Sequence, residues 1–522
     1  MRTVPLPHAL RRAEGTLRLG SGSTVGPGSE VLLEELRQVT GVAEPHIRFV
    51  LGDLPPQSYV LVVDDHVTVT GGDEAGLFYG LQTLVKLADG PDLPRVTVED
   101  GPRVATRGVM LDLGRRYWAP PYLRKLVRRL AWLGYNRLQL HLTEWNGFRV
   151  RLPGYEDLAT EPAYAPEELG ELIAYARSLH IDVVPEIDLP AHTTTLIEKR
   201  PFLRPDDEVL NDGSHWTGFP TPSWTMDITS PSNRQWIKDL LGAFCDAFDT
   251  DAVHIGGDEW PTKPGYADVM IGFLDELAEV VRKRGKQPEL WNWWEQYPDR
   301  TKNPDQRSRI TVWYATEEDF DGYDVIHSPG DTHYVTPRTA PGNRQGVNYV
   351  TADPRWLYQE WNPTADAYQL CVWADWAEDQ DDAYFDWYAS RALETAADRM
   401  WGGPRLADVD AYLDVLDRTP YLGVRGRPHV PGEAARVLAV RFRVPADDYA
   451  VGGKWPDATW QKLESVRTTA FQGAPGPDGP WTDLATVDWL PVPTWNVLRV
   501  ANEGTYRYLR GPEGLDCEWW VA

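Results

Sequence analysis

Asp258 and Glu259 stand side by side after an apolar run, Ala252 to Ile255, two glycines, and ahead of Trp260. Gly256 and Gly257 let the backbone turn tightly and come close to a ligand. Neighbouring carboxylates repel, so one of the pair should hold its proton to a higher pH than a free carboxyl group. Such a group is a general acid usable near neutrality. The competing reading is a glycine turn carrying two solvated acids, and the elements around the pair decide between the two.

Composition limits the choices. A chain of 522 residues has room for about three domains, or for one large barrel with attachments. With 42% hydrophobic and 25% charged residues it has the make-up of a globular protein. A net charge of −26 argues against nucleic acid and anionic membranes as partners. The 24 tryptophans and 23 tyrosines supply flat faces of the kind on which sugar rings stack, although many must be core. Cys245, Cys371 and Cys517 lie far apart, with neither a disulfide framework nor metal-ligand spacing. Met1 to Gly20 show no apolar signal core, and no apolar run approaches the roughly 20 residues that span a bilayer. The expected location is therefore the cytoplasm, or outside the cell if a leader was removed.

Three domains are expected: a small α/β domain over 1–102, a catalytic barrel over 103–425 and a β-rich domain over 426–522. In the first, Ser58–Val63 and Val67–Thr70 flank Asp64-Asp65-His66 as a hairpin, and Ala75–Leu87 has helical spacing. From about 103 strand and helix alternate, the pattern of a parallel sheet. Eight strands are expected at Arg107–Leu111, Arg137–Leu142, Asp182–Ile187, Ala252–Ile255, Glu289–Trp291, Ile310–Trp313, Tyr323–Ile326 and Leu370–Trp373. Eight over this length fit a (β/α)8 TIM barrel, whose site is built just beyond the strand ends. Those positions are both acidic and aromatic. They hold Asp112 and Arg115; Glu144 and Trp145; Glu186, Asp188 and His192; Asp258, Glu259 and Trp260; Trp291, Trp293 and Glu295; Trp313 and Tyr314; Tyr334; and Trp373 and Asp375. A polar helix over Leu406–Leu416 is expected to close the barrel, and Gly504–Arg510 looks like the closing strand of a discoidin-like sandwich.

Four fragments in order resemble glycoside hydrolase family 20, the β-N-acetylhexosaminidases. They are Gly76–Leu84, Arg107–Arg115, Val184–His192 and His254–Glu259. The resemblance implies a retaining, exo-acting enzyme that removes terminal β-linked GlcNAc or GalNAc from a glycan, without cofactor or metal. The family is an exception to the two-carboxylate scheme, because the substrate's own 2-acetamido group is the nucleophile. It implies Glu259 as general acid/base and Asp258 as the group that orients the acetamide. Tyr334 becomes the donor to its carbonyl, a role for which Tyr349 is a rival. Arg115 and Asp375 would bind ring hydroxyls, and Trp291, Trp313 and Trp373 would enclose the sugar or else be core. Glu144 and His192 form a supporting pair. Trp145, Ala191 and Thr336 depart from the family pattern, and Tyr334-Val335 with Trp373-Ala374-Asp375 resemble the disaccharide-releasing lacto-N-biosidases. Two further classes stay open: a metal-dependent barrel hydrolase using His141, His192 and His254, and a carbohydrate-binding barrel without activity. Oligomeric state is not legible.

Overall fold

The computed structural model describes residues 4–217, 220–261, 263–314, 320–336, 352–375, 382–406, 408–418, 427–443, 467–489, 496–500, 504–512 and 515–521. Tyr349 lies outside them. The N-terminal unit is a five-stranded sheet ordered Ala9–Arg18, Asp92–Asp100, Tyr59–Val63, Val67–Gly71, Ile47–Leu51. Tyr59–Val63 and Val67–Gly71 alternate buried with half-buried side chains and pair antiparallel, the expected hairpin. Helix Glu74–Leu87 lies against that sheet. Asp73 caps it, its carboxylate accepting from the Gly76 N–H at 2.7 Å. At Gly80 a Cβ would run into Val69, so the glycine sets how closely helix and sheet approach. Strand Ala9–Arg18 is not evident in the sequence. Most of its residues are exposed, so no apolar alternation marks it.

Eight parallel strands follow: Thr106–Asp112, Arg137–His141, Asp182–Glu186, Ala252–His254, Gln287–Trp291, Arg309–Val312, Asp324–His327 and Ala367–Val372. Each pairs with the next, and strand eight pairs with both strand seven and strand one, which closes the barrel. All eight expected strands are present, with ends shifted by up to a few residues. Strands two and eight are buried throughout, as strands covered on both faces must be. Helices Pro120–Leu133, Pro166–Arg177 and Pro231–Asp246 each begin with proline, whose missing N–H is harmless in a first turn. Ala267–Arg282 and Asp382–Trp401 also pack outside the barrel. Among the described residues no helix is long and apolar enough to cross a membrane.

Beyond the barrel, helix Val409–Arg418 starts three residues after the expected Leu406. Small antiparallel sheets then make up the β-rich C-terminal part. The single strand expected over Gly504–Arg510 is two. Thr505–Tyr506 pairs with Ala435–Arg436, while Tyr508–Arg510 pairs with Gln472–Ala474. Arg507 between them changes sheets, a break that the apolar pattern does not announce.

Candidate active site

Strand four ends at His254, and the chain turns through Gly256 (φ 73°) and Gly257 (φ 96°), both left-handed and free of penalty for glycine. A Cβ on Gly256 would run into the Asp188 carboxylate, so glycine is also what lets the end of strand three approach. Glu259 itself is left-handed (φ 47°), a conformation that only a few per cent of non-glycine residues adopt. Three indoles hold the turn in place. Trp224 Nε1–H donates to the Glu259 carbonyl at 3.0 Å, Trp260 Nε1–H to that of Gly257 at 2.8 Å, and Trp293 Nε1–H to that of Trp260 at 2.9 Å. His192, on the neighbouring rim, is also left-handed (φ 57°). Backbone strain that collects at one place is a mark of a functional site.

The turn opens onto a cavity lined by Arg115, His192, Asp258, Glu259, Trp313, Tyr334, Trp373 and Asp375. Trp313 and Tyr334 stack at 6.0 Å between centroids and 15°, and Trp373 tilts against Tyr334 at 5.6 Å. The opposite side is charged. Arg115 reaches Asp112 at 3.0 Å, Glu144 at 2.7 Å and Asp375 at 3.4 Å, with its guanidinium 5.3 Å from the Trp373 ring centroid. Burial works against the charge on Arg115, but these carboxylates more than offset it and keep the guanidinium fully charged.

Behind the cavity, carboxylates and imidazoles alternate. Glu186 lies 2.8 Å from His141, which lies 3.3 Å from Glu144. Glu144 lies 3.0 Å from His192 Nδ1, whose Nε2 faces Glu259 at 3.3 Å. Burial disfavours the His192 cation, yet Glu144 and Asp188 raise its pKa well above that of a free imidazole. Glu144 is held well below the usual carboxylate range, against burial, by Arg115 and His192. Asp258 goes the other way. Burial pushes its carboxyl up to about 6; His192 opposes that rise and the charge of Glu259 adds to it. Asp188, buried beside it, is raised well above the ordinary range by burial and by the charge of Asp258. The upward shift anticipated for one of the adjacent acids is present on Asp258, with burial and not the neighbouring charge as its largest cause, so it falls on the residue expected to orient the acetamide and not on the one expected to move the proton.

Eight of the ten expected site residues line the cavity. Glu144 does not; it is fully buried behind Arg115 and His192 and orients both. Trp291 does not either. It ends strand five inside the barrel, fully buried, with its indole N–H donating to Glu186 at 2.6 Å and its ring 6.2 Å from that of Trp373. It supports the wall and is not part of it. His141, His192 and His254 do not converge as a ligand set. Among the described residues the two His–carboxylate clusters within 4.8 Å are His141/Glu186/Asp188 and Asp188/His192/Asp258, and neither holds two histidines. Trp224 and Asn292 were missed. Asn292 accepts from the Trp313 and Tyr314 N–H groups at 2.8 and 3.2 Å and so sets the rim of strand six. Trp224 stands in the long irregular stretch after strand three, where no periodicity could have flagged it.

Comparison with known proteins agrees with this geometry. Residues 105–403 match the model of the glycosyl hydrolase family 20 catalytic domain, and residues 1–101 that of its domain 2. A β-hexosaminidase of Akkermansia muciniphila is 30% identical over 264 residues, 43% of this chain and 52% of that protein. A β-N-acetylhexosaminidase of Cellulomonas fimi is 31% identical over 277 residues, 49% of this chain and 55% of that one. The chain thus spans about half the length of the curated relatives it matches. The crystal structure of a Bacteroides fragilis β-N-acetylhexosaminidase shares the fold, with a TM-score of 0.65 at 22% identity over 80% of this chain and 94% of that one. With its catalytic-domain match covering more than half of the sequence, the chain belongs to glycosyl hydrolase family 20.

Proposed function

We propose that the protein is a retaining exo-β-N-acetylhexosaminidase that removes one terminal β-linked N-acetylhexosamine from a glycan by substrate-assisted catalysis. The observation that carries this reading is the division of labour between the two adjacent acids. Glu259 faces His192 at 3.3 Å at the edge of a cavity walled by aromatic rings, while the buried Asp258 keeps an oxygen, Oδ1, with no donor among the described residues.

In the first step the acetamido carbonyl oxygen attacks C1, the bond from C1 to the leaving oxygen breaks, and Glu259 gives its proton to that oxygen. An oxazolinium ring results. Asp258 accepts the acetamido N–H through Oδ1 and balances the positive charge growing on the ring. Tyr334 donates to the attacking carbonyl, Trp313 and Trp373 enclose the sugar, and Arg115 with Asp375 binds its hydroxyls. In the second step Glu259, now a carboxylate, takes a proton from water as the water attacks C1 and reopens the ring. Two displacements at C1 retain the configuration. Because the nucleophile belongs to the substrate, the protein contributes chiefly by holding it in place. His192, fixed by Glu144, supports Glu259 through the cycle.

Aryl glycosides test this directly. Release of aryl alcohol from β-GlcNAc or β-GalNAc supports the reading. Turnover of a β-lacto-N-biose glycoside alone would replace it with disaccharide release, and tight sugar binding with no turnover would make the barrel a binding protein.

A further inference from the structure

The long stretch between strand three and helix Pro231–Asp246 returns to the site at Trp224. This residue is fully buried, and its indole touches both partners of the 3.3 Å contact between His192 and Glu259. Nε1–H donates to the Glu259 carbonyl at 3.0 Å, and among the described residues no other donor reaches that oxygen. The indole lies 4.5 Å from the His192 ring, inclined at 53°. Trp224 is itself held from several sides. Ser223, left-handed (φ 61°), gives its N–H to Asn211 at 2.6 Å, and its hydroxyl accepts from Arg204 at 2.8 Å. The Trp224 carbonyl accepts from the N–H of Thr193, the residue after His192, at 3.2 Å. Gly213 lies against the ring, where a Cβ would stand 2.4 Å from it. His192 and Glu259, the two residues that Trp224 joins, are both left-handed without being glycine, a conformation that persists only where the surroundings hold it.

We infer that Trp224 is a positioning residue for the proton transfer, which fixes the backbone of Glu259 and the ring of His192 with one side chain. The inference rests on the hexosaminidase reading above. Without the indole N–H, the Glu259 carbonyl loses the hydrogen bond that offsets the cost of a left-handed backbone, and the residue is free to relax toward an ordinary conformation. A small displacement matters here, because proton transfer needs the acid within hydrogen-bond reach of the leaving oxygen. Trp224 is not part of the cavity wall, so binding of the ring and the acetamide does not depend on it. Through this one residue the loop after strand three becomes part of the acid/base apparatus.

The test uses two glycosides that differ in their need for an acid. The leaving group of methyl β-N-acetylglucosaminide must be protonated as it departs, whereas that of the 2,4-dinitrophenyl glycoside departs as a stable anion. Trp224→Phe keeps a ring beside His192 and removes the N–H. It should lower kcat/KM for the methyl glycoside about tenfold and leave the dinitrophenyl glycoside unchanged. Trp224→Leu, which removes the ring as well, should lower the methyl value about a hundredfold, with the dinitrophenyl value again unchanged. Both variants should bind N-acetylglucosamine as tightly as the wild type. If Trp224→Phe does not fold, benzothienylalanine at position 224, which keeps the bicycle and lacks only the N–H, takes its place in the same comparison. An equal loss on both substrates overturns the inference and makes the residue structural; no loss on either overturns it as well. If the wild type hydrolyses neither glycoside, the hexosaminidase reading fails and the inference fails with it. Wild-type turnover of both, with variants that respond equally on the two, removes the inference alone.

Discussion

The barrel holds two buried charged networks built from the same residue types. Toward the start of the strands, Arg137 pairs with Glu289 at 3.1 Å, and Arg309 pairs with the same carboxylate at 3.1 Å. Arg137 also donates to Gln369 at 3.3 Å, Gln369 to Gln139 at 3.1 Å, and Gln139 to Glu186 at 2.8 Å. These groups answer one another. At the strand ends the pattern differs. Asp258 Oδ1 and the indole N–H groups of Trp313 and Trp373 are buried without partners among the described residues. A buried polar group left unpaired costs about 1–3 kcal/mol, a cost that a complementary group on a ligand would remove. The closed network fixes the barrel, and the open one binds. Glu186 belongs to both, accepting from Gln139 below and lying 2.8 Å from His141 above.

Removing a group from either network should therefore have opposite consequences. Glu259→Gln should lower kcat on an aryl β-N-acetylglucosaminide by about 10³-fold or more, with the unfolding midpoint little changed. A comparable loss of stability in that variant would erase the distinction between the networks. Arg137→Met leaves Glu289 facing only Arg309 and takes the donor from Gln369 Oε1, and should cost about 1–3 kcal/mol in denaturant unfolding, while KM of the folded enzyme stays the same. A selective rise in KM would show that the lower network reaches the substrate.

Asp258→Asn should do two things at once. It should cut kcat about 10²-fold, since the acetamide loses its anionic partner. It should also stabilise the fold near pH 7. The folded-state pKa is raised from 3.8 to about 6, so the folded protein binds more protons than the unfolded chain between those values. The contribution of Asp258 to stability is thus fully present below about pH 4 and lost as pH rises through about 6; keeping the group ionised costs roughly 2–3 kcal/mol. Urea unfolding should show the gain in the asparagine variant at pH 7 and its disappearance at pH 4. The smallest effect is the pH profile. If Asp258 must be ionised to work, kcat/KM should fall as pH drops below about 6; an acid limb two units lower would detach this residue from the chemistry.

The sequence carried the upper network more fully than the lower one. Residues just after strand ends are special in a barrel, so locating eight strands put Arg115, His192, Asp258, Glu259, Trp313, Tyr334, Trp373 and Asp375 among a longer set of rim positions, and the family resemblance singled them out. Trp291 shows the limit of that rule. It is the last residue of its strand, where a one-residue step turns a side chain from one face to the other, and it faces Glu186 inside the barrel. Trp224 could not be read because its position depends on how an irregular loop folds back on the Glu259 carbonyl. Arg137, Gln139, Glu289 and Gln369 look in sequence like polar residues on partly exposed strands; only closure of the barrel brings them together and buries them. The β-rich end was legible as composition but not as pairing, since the switch at Arg507 depends on contacts with residues far away in the chain.

The central claim is that the substrate's acetamide, steered by Asp258, is the nucleophile. A series of aryl β-glucosaminides bearing N-acetyl, N-fluoroacetyl, N-difluoroacetyl and N-trifluoroacetyl groups tests it most directly. Each fluorine withdraws electrons from the carbonyl oxygen and weakens it as a nucleophile, while the ring, the leaving group and Glu259 stay the same. A steep, progressive fall in kcat across the series is the predicted result. A flat response would contradict the account, because it would mean that some other group attacks C1.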